Sequence, residues 1–318
     1  MKSKFLVGAV TLAAALGLSA CSVPGDAGST SSSSEAASAE DVSAQEASKA
    51  LLATVQPDPT LASLLPSDFK GKKLVVGSNL QTPPTGFLAS DSTTPIGFDV
   101  DIITATAKSL GADVEVQNMP FDTLITSLQT KRVDMTISGM NDTKVRQEKI
   151  DFVDYFNSGL KFLVKKGNPK SINSAEDLCG KTVGAVLGSG QVDWIDKNAS
   201  ADCVAKGKEP IKLETNAVNT QLFNDLKTGR SDAVVDDLPF LSYVAKTSGQ
   251  GGDFEVVQGD IVLPVPYGIG FNKETPGLRD AFKAALQKLI DDGMYGKILD
   301  NWQVKAGART QATVNGGA

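Results

Sequence analysis

From Lys73 onward, short apolar runs of strand character alternate with stretches in which apolar residues recur at helical spacing. Leu74-Val75-Val76-Gly77 reads as a first strand. Val100, Ile103, Ala107 and Leu110 share one face of an amphipathic helix, and Gly111 stands where such a helix stops. Val114 and Val116, then Leu124, Ile125 and Leu128, then Val133 and Ile137 continue as strand, helix and strand. After Asn157-Ser158-Gly159 the layout repeats, with a strand over 182–186, a helix near 192–197, a strand near Ile211, a helix over 217–227 and a strand over 232–235. Tyr267-Gly268-Ile269-Gly270-Phe271 is a further strand. Leu278, Phe282, Leu286 and Leu289 mark a long helix closed by Gly293, and Tyr295, Ile298 and Trp302 share a last apolar face. Strands alternating with helices predict an α/β protein with parallel sheets and crossover helices.

The two ends of the chain break this pattern. Lys2 and Lys4 precede an apolar run from Phe5 to Ala20 that ends in Leu18-Ser19-Ala20-Cys21, the layout of a signal peptide over 1–20. Leu18-Ser19-Ala20-Cys21 also resembles the bacterial lipobox, which implies that Cys21 becomes the lipid-modified first residue of the exported protein and fixes it to the outer face of the cell membrane. From Ser22 to about Glu46 the residues are small and polar, so 21–60 reads as a flexible tether. A similar composition marks 303–318 as a flexible tail.

Charge and composition remove several classes of function. The chain carries 31 Lys plus Arg against 37 Asp plus Glu; without Lys2 and Lys4 the balance is 29 against 37, a net charge of −8, which disfavours nucleic acid as a partner. There is no histidine, which removes His-based triads, His general bases and His metal ligands together. No metal or cofactor is expected. Beyond Cys21 the cysteines are Cys179 and Cys203, and an even pair in an exported protein most simply forms one disulfide. Cys179 precedes the strand at 182–186 and Cys203 follows the next helix, so both are expected at one edge.

Gly97-Phe98-Asp99-Val100-Asp101-Ile102, followed at helical spacing by Ala107 and Leu110, resembles the signature of the family 3 extracellular solute-binding proteins, which includes glutamine, histidine and lysine/arginine/ornithine binders. Thr106 departs from it, standing where that pattern has an aliphatic residue. Blocks over 121–135, 137–152, 181–194, 229–239 and 267–302 look like those of the same family, in the same order. The resemblance implies the two-lobe periplasmic-binding-protein fold, each lobe a sheet with crossover helices, joined by two hinge strands. It places a discontinuous first lobe at 72–156 plus 266–302 and a second lobe at 162–263. It also implies a monomer, not an enzyme, that captures a free polar amino acid between its lobes by hinge closure and hands it to the permease subunits of an ABC importer. A secreted prephenate or arogenate dehydratase on the same fold is the alternative; lacking histidine, it would have to use carboxylates such as Asp236.

A free amino acid presents a carboxylate and an ammonium, so its pocket needs a cation and an anion. Arg146 sits where the family's carboxylate-binding arginine lies, and Asp237 where its ammonium-binding aspartate lies. Asp237 equally suits a helix N-cap before Leu238-Pro239. In Ser138-Gly139-Met140-Asn141, Gly139 is expected to offer its carbonyl to the ammonium and Asn141 a side-chain group to the carboxylate, while Ser138 also suits a turn. Ser189 and Gly190, between a strand and a helix, are expected near the carboxylate. Phe121 matches an aromatic that packs on the ligand side chain, and it also suits a core position. Asn79 and Thr82 stand where relatives often carry an acidic and an aromatic residue, so the side-chain end of the pocket is altered.

Overall fold

Two long antiparallel strands tie the molecule together. The structure is a computed structural model that describes residues 39–317, with side chains from residue 41; the expected signal peptide and Cys21 lie outside the described residues. The described chain begins with helices α1 (Ala39–Thr54) and α2 (Pro59–Leu64). Strand β1 (Lys73–Ser78) leads to a small sheet of β2 (Gln81–Thr82), β3 (Gly86–Leu88) and β4 (Pro95–Ile96). Then come α3 (Phe98–Ser109), β5 (Asp113–Asn118), α4 (Leu124–Gln129), β6 (Met135–Thr136) and α5 (Lys144–Gln147). The long β7 (Asp151–Lys165) carries the chain onward to β8 (Thr182–Val186), α6 (Gly190–Trp194), α7 (Ser200–Ala205) and β9 (Lys212–Asn216). After α8 (Asn219–Thr228), β10 (Ala233–Asp237), α9 (Leu238–Thr247) and β11 (Phe254–Val256), strand β12 (Val262–Phe271) returns. The described chain closes with α10 (Pro276–Asp291), α11 (Met294–Asn301) and β13 (Thr313–Val314).

The main sheet runs β5-β1-β6-β12-β7-β10-β8-β9, with β11 and β13 pairing on β7. β1 pairs with β5 and β6, and β8 with β9 and β10, all in parallel, as strands joined by crossover helices do. β7 and β12 run antiparallel to each other along most of their length, from Asp151↔Phe271 to Leu160↔Val262. One end of this ribbon joins β6, and the other end of β7 joins β10.

Burial follows the two lobes. In the first, α3, α10 and α11 cover one face of the sheet around Phe98, Ile102, Phe156 and Phe282, while α4 covers the other around Leu124, Leu128 and Phe152. In the second, Trp194, Ile195 and Cys203 pack on one face and Leu222, Phe240 and Leu241 on the other. Each apolar face is buried by a helical layer, the arrangement a parallel sheet requires. The Cys179–Cys203 disulfide is formed, with its Cα atoms 5.6 Å apart. Thr106 is fully buried in α3 without an orphaned hydroxyl, since its Oγ1 donates to the Ile102 carbonyl at 2.7 Å.

The structure corrects two expectations about the ends. Within the stretch read as a tether, residues 39–54 are helical, and a second helix over 59–64 begins at its end. Polar contacts fix α1, which composition alone does not reveal. Ser48 donates to Asp101, Asn301 donates to the Ala44 carbonyl at 2.9 Å, and Lys108 donates to the Leu52 carbonyl at 3.0 Å. The stretch read as a tail is ordered by its backbone. β13 pairs with β7 at Thr313↔Asp154 and Val314↔Val153, and the Gly317 amide donates to Asp142 at 2.8 Å.

Candidate functional site

The site lies where strand ends of the two lobes face each other. From the first lobe, the ends of β1 and β6 bring in Asn79, Ser138, Gly139 and Asn141; from the second, β8 and β10 bring in Ser189 and Asp237. Together with Phe121 these residues line one narrow cavity of about 40 Å³. That is room for more than one water, which takes roughly 10–15 Å³ by the same measure. Thr82 lines it as well.

The signature carboxylates act as supports. Asp99 is fully buried and accepts from the Gly139 amide at 2.8 Å and from the Tyr155 hydroxyl at 2.6 Å, which fixes the loop that carries Gly139. Burial raises its pKa to about 7. Asp101 accepts from the Trp302 indole at 2.6 Å, tying α3 to the end of α11. Gly97 lets the chain enter α3 at φ 125°, where a Cβ would lie 2.4 Å from the Thr85 carbonyl oxygen.

Arg146 and Gly190 do not line the cavity. The Arg146 guanidinium is buried, 5.5 Å from the centre of the Phe121 ring, and donates to the Asn141 carbonyl at 2.9 Å and to the Gly188 carbonyl of the facing lobe at 3.2 Å. Burial lowers its pKa to about 10, so it stays charged at neutral pH. No carboxylate lies within ion-pair distance of it among the described residues. Gly190 backs onto Asn141, whose Oδ1 lies 3.2 Å from where a Gly190 Cβ would stand.

Asp237 occupies the N-cap position of α9, yet its side chain makes no capping bond. Its carboxylate turns to the cleft, 3.1 Å from the Ser158 hydroxyl and 3.0 Å from the Gln191 amide nitrogen, which donates to it. Gln191 also donates to Asp236 at 3.1 Å. Both carboxyls are buried, with no cation in ion-pair distance among the described residues, and burial raises the pKa of each; for Asp236 the charge of Asp237 adds to it. Ser189 lines the cavity while its Oγ caps α6, accepting weakly from Val192 at 3.4 Å.

Several lining residues carried no signal along the chain: Gln191, Asn219, Phe240 and Tyr267. Asn219 donates to the Gln81 carbonyl across the lobes at 3.1 Å, and its Oδ1 has no partner. Asn79 Oδ1, on the opposite lobe, is likewise buried and unpartnered. A buried acceptor without a donor costs about 1–3 kcal/mol, so two of them on one cavity mark where a donor-bearing ligand belongs. Among the described residues no cluster of His, Cys, Asp and Glu could hold a metal ion. What the arrangement offers is a cation from one lobe, carboxyls from the other and amide oxygens from both.

The profile of the bacterial extracellular solute-binding proteins, family 3, matches residues 74–305. The arginine-binding protein ArgT of Corynebacterium glutamicum is 32% identical over 261 residues, covering 81% of this chain and 84% of the relative. The L-cystine-binding protein TcyJ of Escherichia coli is 32% identical over 231 residues, covering 72% and 82%. Among solved structures, an ancestral arginine-binding protein bound to arginine superposes with a TM-score of 0.67 at 35% identity, over 74% of this chain and 99% of the other. The chain belongs to the family 3 bacterial extracellular solute-binding proteins.

Proposed function

We propose that this chain captures a free amino acid with a long cationic side chain, arginine before others, between its two lobes and delivers it to an ABC importer. It acts as a binder and catalyses nothing, and Cys21 holds it to the outer face of the membrane as a lipoprotein. A mismatch of charge carries the reading. Among the described residues the buried Arg146 has no carboxylate within ion-pair distance, and the buried Asp236 and Asp237 have no cation within it, on facing lobes beside one cavity. Unpaired buried charges are costly, and a zwitterionic ligand relieves both at once. In this reading Arg146 takes the ligand carboxylate with the guanidinium N–H groups not spent on Asn141 and Gly188, and Asp237 takes the α-ammonium beside the Gly139 carbonyl. Asp236 and the free oxygens of Asn79 and Asn219 remain as acceptors for a second group rich in N–H donors. The arginine-binding relatives point the same way.

The test is a thermal-shift screen of the mature protein against the common amino acids, since a ligand that binds only the folded state raises its melting temperature. L-arginine is expected to give the largest shift and L-glutamate none, with the bound ligand recovered unchanged after denaturation. Arg146→Ala and Asp237→Ala are each expected to weaken binding roughly 30-fold to several thousand-fold, as loss of one partner from a buried charge pair does. A largest shift with an acidic amino acid, or near-normal affinity in both folded variants, would overturn the reading.

A further inference from the structure

Helix α1 lies before the residues that the family profile matches and packs on α3 and α11 of the first lobe. Its first turn reaches further. The Tyr243 hydroxyl, on α9 of the second lobe, donates to the Asp41 carboxylate of α1 at 2.7 Å. The Tyr243 ring also meets Phe87 of β3 at 6.2 Å between centroids, and Phe87 meets Trp302 edge-on at 5.8 Å. Beside this contact lies a largely apolar cavity of about 550 Å³, lined among others by Asp41, Tyr243, Trp302 and, from the hinge strands, Ser158 and Gly159. A contact between the lobes beside a hinge changes length when the lobes rotate about it.

The same structure has its cleft shut, with Arg146 bonded to Gly188 and Asn219 to Gln81 across the lobes. α9 joins the two places. It begins next to Asp237, on the ligand cavity, and carries Tyr243 less than two turns further along. We propose that α1 is a latch: its Asp41 holds Tyr243 of the second lobe when the cleft is closed, so a segment outside the family's shared scaffold sets the balance between open and closed forms. A binding-competent closed form that is populated more often without ligand raises apparent affinity in proportion.

The experiment uses the whole chain with spin labels at the exposed positions Gln129→Cys of the first lobe and Lys212→Cys of the second, the native disulfide left intact, and reads interlobe distances by pulsed electron resonance. Tyr243→Phe keeps the ring and deletes only the hydroxyl, so the lobes stay folded. It is expected to move the ligand-free distribution toward longer separations and to weaken L-arginine binding about three- to tenfold, in proportion to the lost closed fraction. Asp41→Ala, which removes the acceptor, is expected to act in the same direction and not to add to Tyr243→Phe in the double variant. Unchanged distances in both variants, or a shift toward shorter ones, would show that α1 is no latch. The ligand assignment of the preceding section fails separately: L-arginine that binds no variant, while the distances still shift, removes the ligand and leaves the latch standing.

Discussion

Asp99, Asp101, Asp154, Asp236 and Asp237 are buried carboxyls, and burial raises the pKa of every one of them, to about 7 for Asp99 and about 6 for Asp101 and Asp154. In the unfolded chain all five titrate near 3.8. Between that value and the folded ones the native state therefore binds more protons than the unfolded state, and linkage makes stability fall as pH rises. The stabilising contribution is complete below the unfolded pKa and is lost as pH climbs through the folded values. Groups with depressed pKa, such as Asp151 and Asp177, act below this window, and no histidine is present to add a slope of its own. The ligand-free protein is expected to melt at a higher temperature at pH 5 than at pH 8. A saturating cationic ligand should flatten the slope, because it keeps Asp236 and Asp237 ionised in the folded state. Calorimetry that shows a rising melting temperature over this range in the ligand-free protein would contradict the assignment.

The loop between β8 and α6 is tightly constrained. Gly188 sits at φ +74°, and a Cβ there would come within 2.8 Å of the Asp122 Cβ on the facing lobe. Gly188→Ala introduces backbone strain in any arrangement of the lobes but meets Asp122 only when they close. The two effects separate. Ligand-free stability is expected to fall modestly, while the dissociation constant rises by about fivefold to 150-fold, the range of an overpacked contact, as read by titration calorimetry. An unchanged dissociation constant would mean that the lobes do not approach this closely with ligand bound. The elements that position this loop were legible. The helix face of Val100, Ile103, Ala107 and Leu110 is α3, and the strand expected over 182–186 is β8. What stayed hidden was held by polar or backbone contacts between distant segments. α1 shows little amphipathic pattern and is fixed through Asp101 and Asn301, and β13 is ordered by pairing with β7. Asp237 illustrates the limit at the site itself: the sequence fits both an ammonium-binding aspartate and an N-cap, and only the fold shows its carboxylate turned away from α9 toward Gln191 and Ser158. Gln191 and Tyr267 become site residues only because β7 and β12 bring their segments together.

At the scale of the molecule, the two lobes are not separate beads on a string. β7, 15 residues long, pairs with β12 in the first lobe and with β10 and β11 in the second, so neither lobe owns a sheet that is complete without the shared strands. The hinge must therefore bend without breaking the ladder. The register shifts of β12 between Val262 and Val265 and between Tyr267 and Gly268 sit where such bending is accommodated. The same sharing governs how the protein comes apart. Melting the second lobe strips partners from β7, and melting the first strips them from β12, so losing either removes hydrogen bonds that the other needs. Heat denaturation is expected to show one transition, with the calorimetric and van 't Hoff enthalpies equal, in place of the two steps that independently folding halves produce. Two resolved transitions would mean that the ladder can be cut at the hinge. If the single transition holds, a destabilising change deep in either lobe lowers the melting of the whole, and a ligand bound between the lobes protects residues far from its pocket.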